Sequence, residues 1–516
     1  MSRKSGRPPA ESIANQPRPP PRPSPFPGIE RARIIYIIWI MIKLHNINAK
    51  LLEAHYAVRG KIVIRAQELE AQGKKIIYCN IGNPQELKQK PLTFLRQVLS
   101  LLEYPAMMGR SEAAKLFPAD AVARAKMILE KHPSGTGAYT QSAGIPFIRK
   151  AVADFINERD GIPVDANRIV LTGGASRGIQ SVFTMLTNTE NDGYMVPIPQ
   201  YPLYSATIAL YGAKQISYFL DEENNWQLNE HELNESIAAA KEKGVNPVAI
   251  VVINPGNPTG AVLSKKNIEM IVRFAKKHGL SILADEVYQE NVYGKGLKFH
   301  SFAKVMYEMG EEDVTLFSFH SVSKGFLGEC GHRGGYLEVR NMPDDVYAEL
   351  IKLQSIGLCA NVDGQLVTYL MVAPPEKGSE SYELYVKERG EILSDLKEKA
   401  EILGEGLNGI EGMTVGIPQG AMYAFVKFEL PYPKGADLAK MTAEARLKYE
   451  ASRDSEYCLK LLEETGICVV PGSGFGQQPG TLHFRTTFLP PKADIKALVE
   501  KIKKFHAAYV ARLKNV

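Results

Sequence analysis

"VAIVVINPGNPTGAVLSKKNIEMIVRFAKKHGLSILADEVY", residues 248–288, holds two short apolar runs on either side of a longer amphipathic segment. The runs "VAIVVIN" and "LSILADE" carry no polar alternation, which marks strands buried on both faces. Between them, Ile268, Ile271 and Val272 recur at helical spacing, Ser264 stands where a helix N-cap is wanted, and Gly279 stands where the helix must stop. A strand, a helix and a second buried strand in this order predict parallel strands wrapped by helices.

The same alternation extends over residues 137–375. "IPFIRKAVADFI" places Ile145, Ile148, Val152 and Phe155 on one helical stripe, and "VTLFSFHS" is a further buried strand. Three of these strands run straight into polar motifs: Asn257 in "INPGNPTG", Asp285 and Tyr288 in "ADEVY", and Lys324 in "SFHSVSKG". Ligands of open α/β sheets bind beyond the carboxyl ends of the strands, so the three motifs are expected to line one crevice. A fourth turn, "LTGGASRGIQ" at 171–180, exposes backbone N–H groups before a helix and suits an anion. Downstream, "PPEKGSES" at 374–381 reads as a boundary. It is followed by a long charged helix and the alternating strand "GAMYAFVKF", and a smaller α+β domain is expected there.

Composition narrows the function without fixing it. The 516 residues are 45% hydrophobic and 23% charged, enough for a large core and two domains. The formal charge is +5, but residues 1–45 alone hold eight Lys/Arg against two acids, so the rest of the chain is close to neutral. A nucleic-acid binder would carry its basic residues on the folded body, and no such partner is expected. Five cysteines, Cys79, Cys330, Cys359, Cys458 and Cys468, stand singly, which suggests neither a disulfide framework nor a metal site and fits a reducing compartment. The first 28 residues contain nine prolines and are expected to be disordered. Ile34–Ile42 is apolar but far short of the roughly 20 residues needed to span a bilayer. Residues 1–45 thus read either as a dispensable extension, with the protein in the cytoplasm, or as a mitochondrial leader.

One rival needs weighing. "TGGASRGI" resembles the nucleotide loop of short-chain dehydrogenases, but Gln180 stands where that family has a further glycine. The single Tyr-x-x-x-Lys, Tyr423 to Lys427, falls on a strand pattern that would separate the two by about 13 Å.

As a set, "NIGNPQ", "PIPQYPLYSATIALYG", "INPGNPTGAVL", "LADEVYQENVY" and "SFHSVSKGFLGECGHRGGYLEV" resemble the class I, fold type I pyridoxal-phosphate aminotransferases, and within them the alanine aminotransferase branch. The resemblance runs from about residue 46 to the C-terminus. It implies a homodimer in which each chain has a large domain, 111–377, around a mostly parallel seven-stranded sheet. A smaller α+β domain, 378–516, would be joined by the N-terminal segment 46–110.

It also assigns roles. Lys324 would form the Schiff base with pyridoxal phosphate and move a proton, since an aldehyde cofactor requires an amine. Asp285 would face the ring nitrogen, Asn257 and Tyr288 the phenolic oxygen, and Tyr201 would stack on the ring. Ala175, Ser176, Ser321 and Arg333 would hold the phosphate, with Tyr139 reaching the phosphate of the neighbouring subunit. Arg485 would clamp the substrate α-carboxylate as a bidentate fork, and Gly82 would add a backbone contact. His320, His332 and Cys330 lie near these residues and are read as packing.

The expected reaction interconverts L-alanine plus 2-oxoglutarate with pyruvate plus L-glutamate, with small amino acids and 2-oxo acids as the only partners. A glutamate–glyoxylate or other small-amino-acid preference stays open, because no second arginine is aimed at a distal carboxylate. A silent scaffold of the same fold is the remaining alternative, although such proteins tend to lose the lysine that this chain keeps.

Overall fold

The computed structural model describes residues 42–54, 56, 60–433 and 440–515. The proline-rich stretch, and Ile34–Ile42 apart from its last residue, lie outside the described residues. Two units divide the chain between Leu51 and Leu52; the described part of the first contains a 3-10 turn, Leu44–Asn46. The second, Leu52–Val516, carries the sheets and the cleft.

Its first strand, β1 (Ile77–Tyr78), belongs to a small sheet described further on. The main sheet is built from β2 (Ile169–Thr172), β3 (Asp192–Ile198), β4 (Lys214–Phe219), β5 (Asn246–Ile253), β6 (Ser281–Asp285), β7 (Leu316–Ser321) and β8 (Gly335–Arg340). The order is β2-β8-β7-β6-β5-β3-β4, and β8 runs opposite to the other six. β2, β3 and β7 are buried at every residue, including the polar Thr172, Asp192, Ser318, His320 and Ser321, as expected of strands covered on both faces. β4, at the edge, alternates instead, exposing Lys214, Gln215 and Ser217 and burying Ile216 and Tyr218.

The helix Lys265–His278 forms as expected. The Ser264 hydroxyl accepts from the Asn267 N–H at 3.2 Å, Gly279 takes φ +68° at the exit, and Lys276, Lys277 and His278 complement the carbonyl end. Its buried stripe, Ile268, Ile271, Val272, Phe274 and Ala275, packs on one face of the sheet. The helix Pro146–Asp160 differs slightly from the expected stripe. Ala153 and Ile156 are buried and Phe155 is only partly so, because burial follows the flank that meets the helix Val362–Val372.

The 27-residue helix Tyr382–Asn408 runs from one core to another: Tyr385 packs with Leu95, Ile148 and Leu370, whereas Leu396, Ala400, Leu403 and Leu407 pack with the C-terminal residues. That second core surrounds an antiparallel sheet of β9 (Met413–Thr414), β10 (Tyr423–Phe428), β12 (Val470–Pro471) and β13 (His483–Thr487), in the order β12-β13-β10-β9. Just before β12, β11 (Ile467–Cys468) pairs in parallel with β1, and Ala66 and Leu69 of the helix Lys61–Ala71 bury against Leu462 and Cys468. The N-terminal segment is thereby tied to the C-terminal part of the chain.

Candidate active site

β5, β6 and β7 are consecutive neighbours running the same way, so Asn257, Asp285 and Lys324 emerge from one edge of the sheet. β8 runs the other way, so its entry lies at that same edge, with Gly335 opposite both Thr172 and Ser321. Arg333, two residues earlier, is delivered there by this single reversal. The edge opens into a cleft of about 500 Å³ lined by Gly82, Ser176, Tyr201, Asn257, Asp285, Tyr288, Ser321, Lys324, Arg333 and Arg485. Its charged lining is Lys324, Arg333 and Arg485 against Asp285, a balance that favours anionic ligands.

The Lys324 amine donates to the Gly82 carbonyl at 2.6 Å. Asp285 is 5% exposed; the Tyr204 hydroxyl donates to its Oδ2 at 2.8 Å, and its Oδ1 accepts no hydrogen bond among the described residues. Burial pushes this carboxyl up to about 6, against the opposing pull of the Tyr204 hydroxyl, the Val287 N–H and the Lys324 charge.

Arg485, on β13, is 1% exposed. Its guanidinium lies 4.2 Å from the Tyr423 ring centroid and 4.6 Å from that of Phe475. One terminal nitrogen donates to Asn257 Oδ1 at 3.1 Å, the other donates to the Asn80 carbonyl, and Nε meets no acceptor among the described residues.

At the other end of the cleft, Gly174 takes φ +90°, a conformation that suits glycine, and starts the helix Ala175–Leu186 without a side-chain cap. The first amides of that helix are therefore free to meet an anion. Arg333 sits over the same turn, its Nη2 3.3 Å from both the Gly173 carbonyl and Ser176 Oγ. A Cβ on Gly174 would come within 2.7 Å of that nitrogen.

Pyridoxal phosphate fits these features at both ends. The unmet Oδ1 of buried Asp285 suits a ring N–H, and the uncapped helix start with Ser176 and Arg333 suits a phosphate.

Two of the expected residues do not line the cleft. Ala175 is the first residue of the phosphate-side helix, and Tyr139 is 77% exposed on the surface. Cys330, read as packing, does line it, with Sγ 3.2 Å from the Ser323 carbonyl. His320 is buried edge-on to Tyr336, and burial together with Arg159 lowers it to about 3, leaving a neutral core imidazole. His332 lies 3.6 Å from Glu329.

The cleft also contains residues that sequence reasoning did not select. Tyr56 meets the Tyr201 hydroxyl at 2.6 Å and Tyr423 underlies Arg485, while Tyr204, buried behind the cleft in the helix Leu203–Tyr211, fixes Asp285. Tyr423 entered only within the Tyr-x-x-x-Lys pattern. On β10 it faces the cleft, while Lys427 pairs with Glu222 at 3.5 Å, so the two do not act as a dehydrogenase pair.

A seven-stranded sheet with one reversed strand, a lysine at the cleft and a phosphate turn beside it define the fold type I architecture of pyridoxal-phosphate transferases. The sequence model of aminotransferase class I and II matches residues 110–502. The probable mitochondrial alanine aminotransferase of Dictyostelium discoideum is 49% identical over 91% of this chain and 90% of its own length. Glutamate–glyoxylate aminotransferase 2 of Arabidopsis thaliana is 44% identical over 90% and 96%. Among solved structures, the alanine aminotransferase from Pyrococcus furiosus superposes with a TM-score of 0.72 at 26% identity, covering 90% of this chain and all of that one. The chain belongs to the class I and II aminotransferases, which are pyridoxal-phosphate enzymes.

Proposed function

We propose that this aminotransferase interconverts L-alanine plus 2-oxoglutarate with pyruvate plus L-glutamate in two half-reactions. The observation that carries the reading is the convergence, in one cleft, of the Lys324 amine, the half-satisfied Asp285 carboxylate and the Arg485 fork with its unpartnered Nε. When bound, pyridoxal phosphate supplies an aldehyde for the amino group and a ring that accepts electron density from the substrate α-carbon. Lys324 anchors the cofactor and then carries the proton at that carbon. Asp285 keeps the ring nitrogen protonated, and Asn257 and Tyr288 bind the phenolic oxygen. Ala175, Ser176, Ser321 and Arg333 bind the phosphate. Arg485 would take the α-carboxylate that every amino acid and 2-oxo acid presents, and Tyr201 would stack on the ring and help orient the substrate towards Lys324. Gly82 completes the substrate side.

The alanine preference is favoured by the relatives named for that activity, at up to 49% identity. A glutamate–glyoxylate preference is favoured in turn by relatives at 44% identity, so a panel of half-reactions decides between them. Cofactor-loaded protein is mixed with single amino acids and the visible cofactor band is followed. Alanine and glutamate should discharge it fastest; no discharge by alanine would refute the assignment.

Tyr139, exposed here, is assigned to the phosphate of a partner subunit, which makes the working unit a homodimer with shared sites. The large domain is assigned to 111–377, and the smaller one to 378–516 with 46–110 joined to it. Relatives from Dictyostelium, Arabidopsis and Saccharomyces cerevisiae are named as mitochondrial, which favours a leader in residues 1–45 over a cytoplasmic location.

A further inference from the structure

Three groups expected to act on different parts of the substrate and cofactor meet one side chain that has no assigned role. Tyr423, on β10 opposite β13, is 3% exposed. Its ring forms one of the two aromatic faces that hold the Arg485 guanidinium, at 4.2 Å. Its hydroxyl lies 3.5 Å from the Tyr288 hydroxyl, with the two rings edge to face. The same hydroxyl is packed so tightly over Gly82 that a Cβ there would overlap it, and that Cβ would also stand 3.0 Å from Lys324 Nζ. The Gly82 carbonyl is the acceptor of the Lys324 amine.

We propose that Tyr423 is a positioning residue for amino-group transfer, its ring aiming the Arg485 fork and its hydroxyl setting the Gly82–Lys324 contact and the Tyr288 hydroxyl. The inference rests on the aminotransferase reading above and deepens it. A flat aromatic face restrains a guanidinium in plane while leaving its N–H groups free for a carboxylate. The hydroxyl does a separate job, because it touches the groups at the amine end. The electrostatics agree: burial pushes the Tyr423 phenol up, but Lys324, Arg485 and the Tyr288 hydroxyl together hold it below its ordinary value, whereas burial raises its neighbours Tyr201, Tyr204 and Tyr288.

Ring and hydroxyl are separable by substitution. In the cofactor-loaded protein, Tyr423→Phe should lower kcat about tenfold while KM for alanine stays within about threefold. In near-ultraviolet phenolate titrations of the cofactor-free protein, this variant should lack a tyrosine that ionises below the ordinary phenol range in the parent. Tyr423→Leu removes the face as well, and should weaken binding of propionate, an unreactive carboxylate, about tenfold beyond the Phe variant. Gly82→Ala displaces the hydroxyl, so its effect on kcat should be smaller in the Tyr423→Phe background than alone.

A Phe variant with parental kcat and an unchanged titration overturns the hydroxyl role. A Leu variant that binds propionate as tightly as the Phe variant overturns the ring role. If the parent itself exchanges no amino group with alanine or glutamate, the functional reading has failed instead.

Discussion

Lys324 stands where the chemistry is decided, and its replacement is the sharpest test of the site. Lys324→Ala should lower turnover by several orders of magnitude and abolish borohydride fixation of the cofactor; a label on another peptide would contradict the role. Asp285 makes a prediction about pH. Its carboxyl, raised to about 6 by burial, keeps its proton below that value and loses it above. Only the ionised form pairs with a protonated ring nitrogen, so cofactor affinity should rise as pH increases from 5 to 7 and should fall as pH drops through about 6. Asp285→Asn should flatten that rise, and an equally steep profile in the variant would count against Asp285. Arg485→Lys should raise KM for alanine more than it lowers kcat, since a point charge cannot reproduce two parallel N–H donors. Lys324 and Asp285 were legible in sequence as polar groups beyond strand ends, and Arg485, inside β13, through the family resemblance. Tyr204, Tyr56 and Tyr423 were not, because a tyrosine has the same character in a core as in a cleft.

At the scale of elements, the phosphate turn and the helix it starts behave as a unit. Gly174→Ala would meet both a positive φ and the Arg333 guanidinium, so cofactor affinity should fall about tenfold with a loss of roughly 1 kcal/mol of stability, read by cofactor titration and chemical denaturation. The helix Lys265–His278 lies outside the cleft and supplies the control. Ser264→Ala removes its cap and should cost about 1 kcal/mol while leaving cofactor affinity unchanged. Its two ends and its apolar stripe were readable because Ser264, Gly279 and the 3.6-residue period are local features. The helix Pro146–Asp160 shows where local reading stops. Phe155 and Ile156 are adjacent apolar residues, and only the neighbouring helix decides which one is buried.

For the whole molecule, the proposed shared-site dimer predicts complementation. Lys324→Ala should be inactive and Tyr139→Ala impaired. A mixed dimer, however, contains one site with both residues intact, so subunit exchange should restore activity towards a quarter or more of the parent. Mixed dimers that form without recovery would separate Tyr139 from the partner's phosphate. The two cores bear on the same scale. The helix Tyr382–Asn408 enters both, which couples the part of the chain carrying Lys324 to the part carrying Arg485. A substitution such as Leu403→Ala, buried at 0% exposure, should destabilise the protein by about 2–5 kcal/mol, measured by denaturant unfolding.

The sequence alone determined the alternation of strand and helix, the polar motifs at strand ends and hence the crevice, because periodicity and turn chemistry are written in neighbouring residues. Tertiary structure decided what depends on the pairing of distant segments. The reversal of β8 brings Arg333 to the carboxyl edge of parallel strands, and the pairing of β10 with β13 slides Tyr423 beneath Arg485. Tyr423 and Arg485, 62 positions apart, and Thr172 and Gly335, 163 apart, meet only once a sheet has chosen its order, and no local pattern encodes that choice.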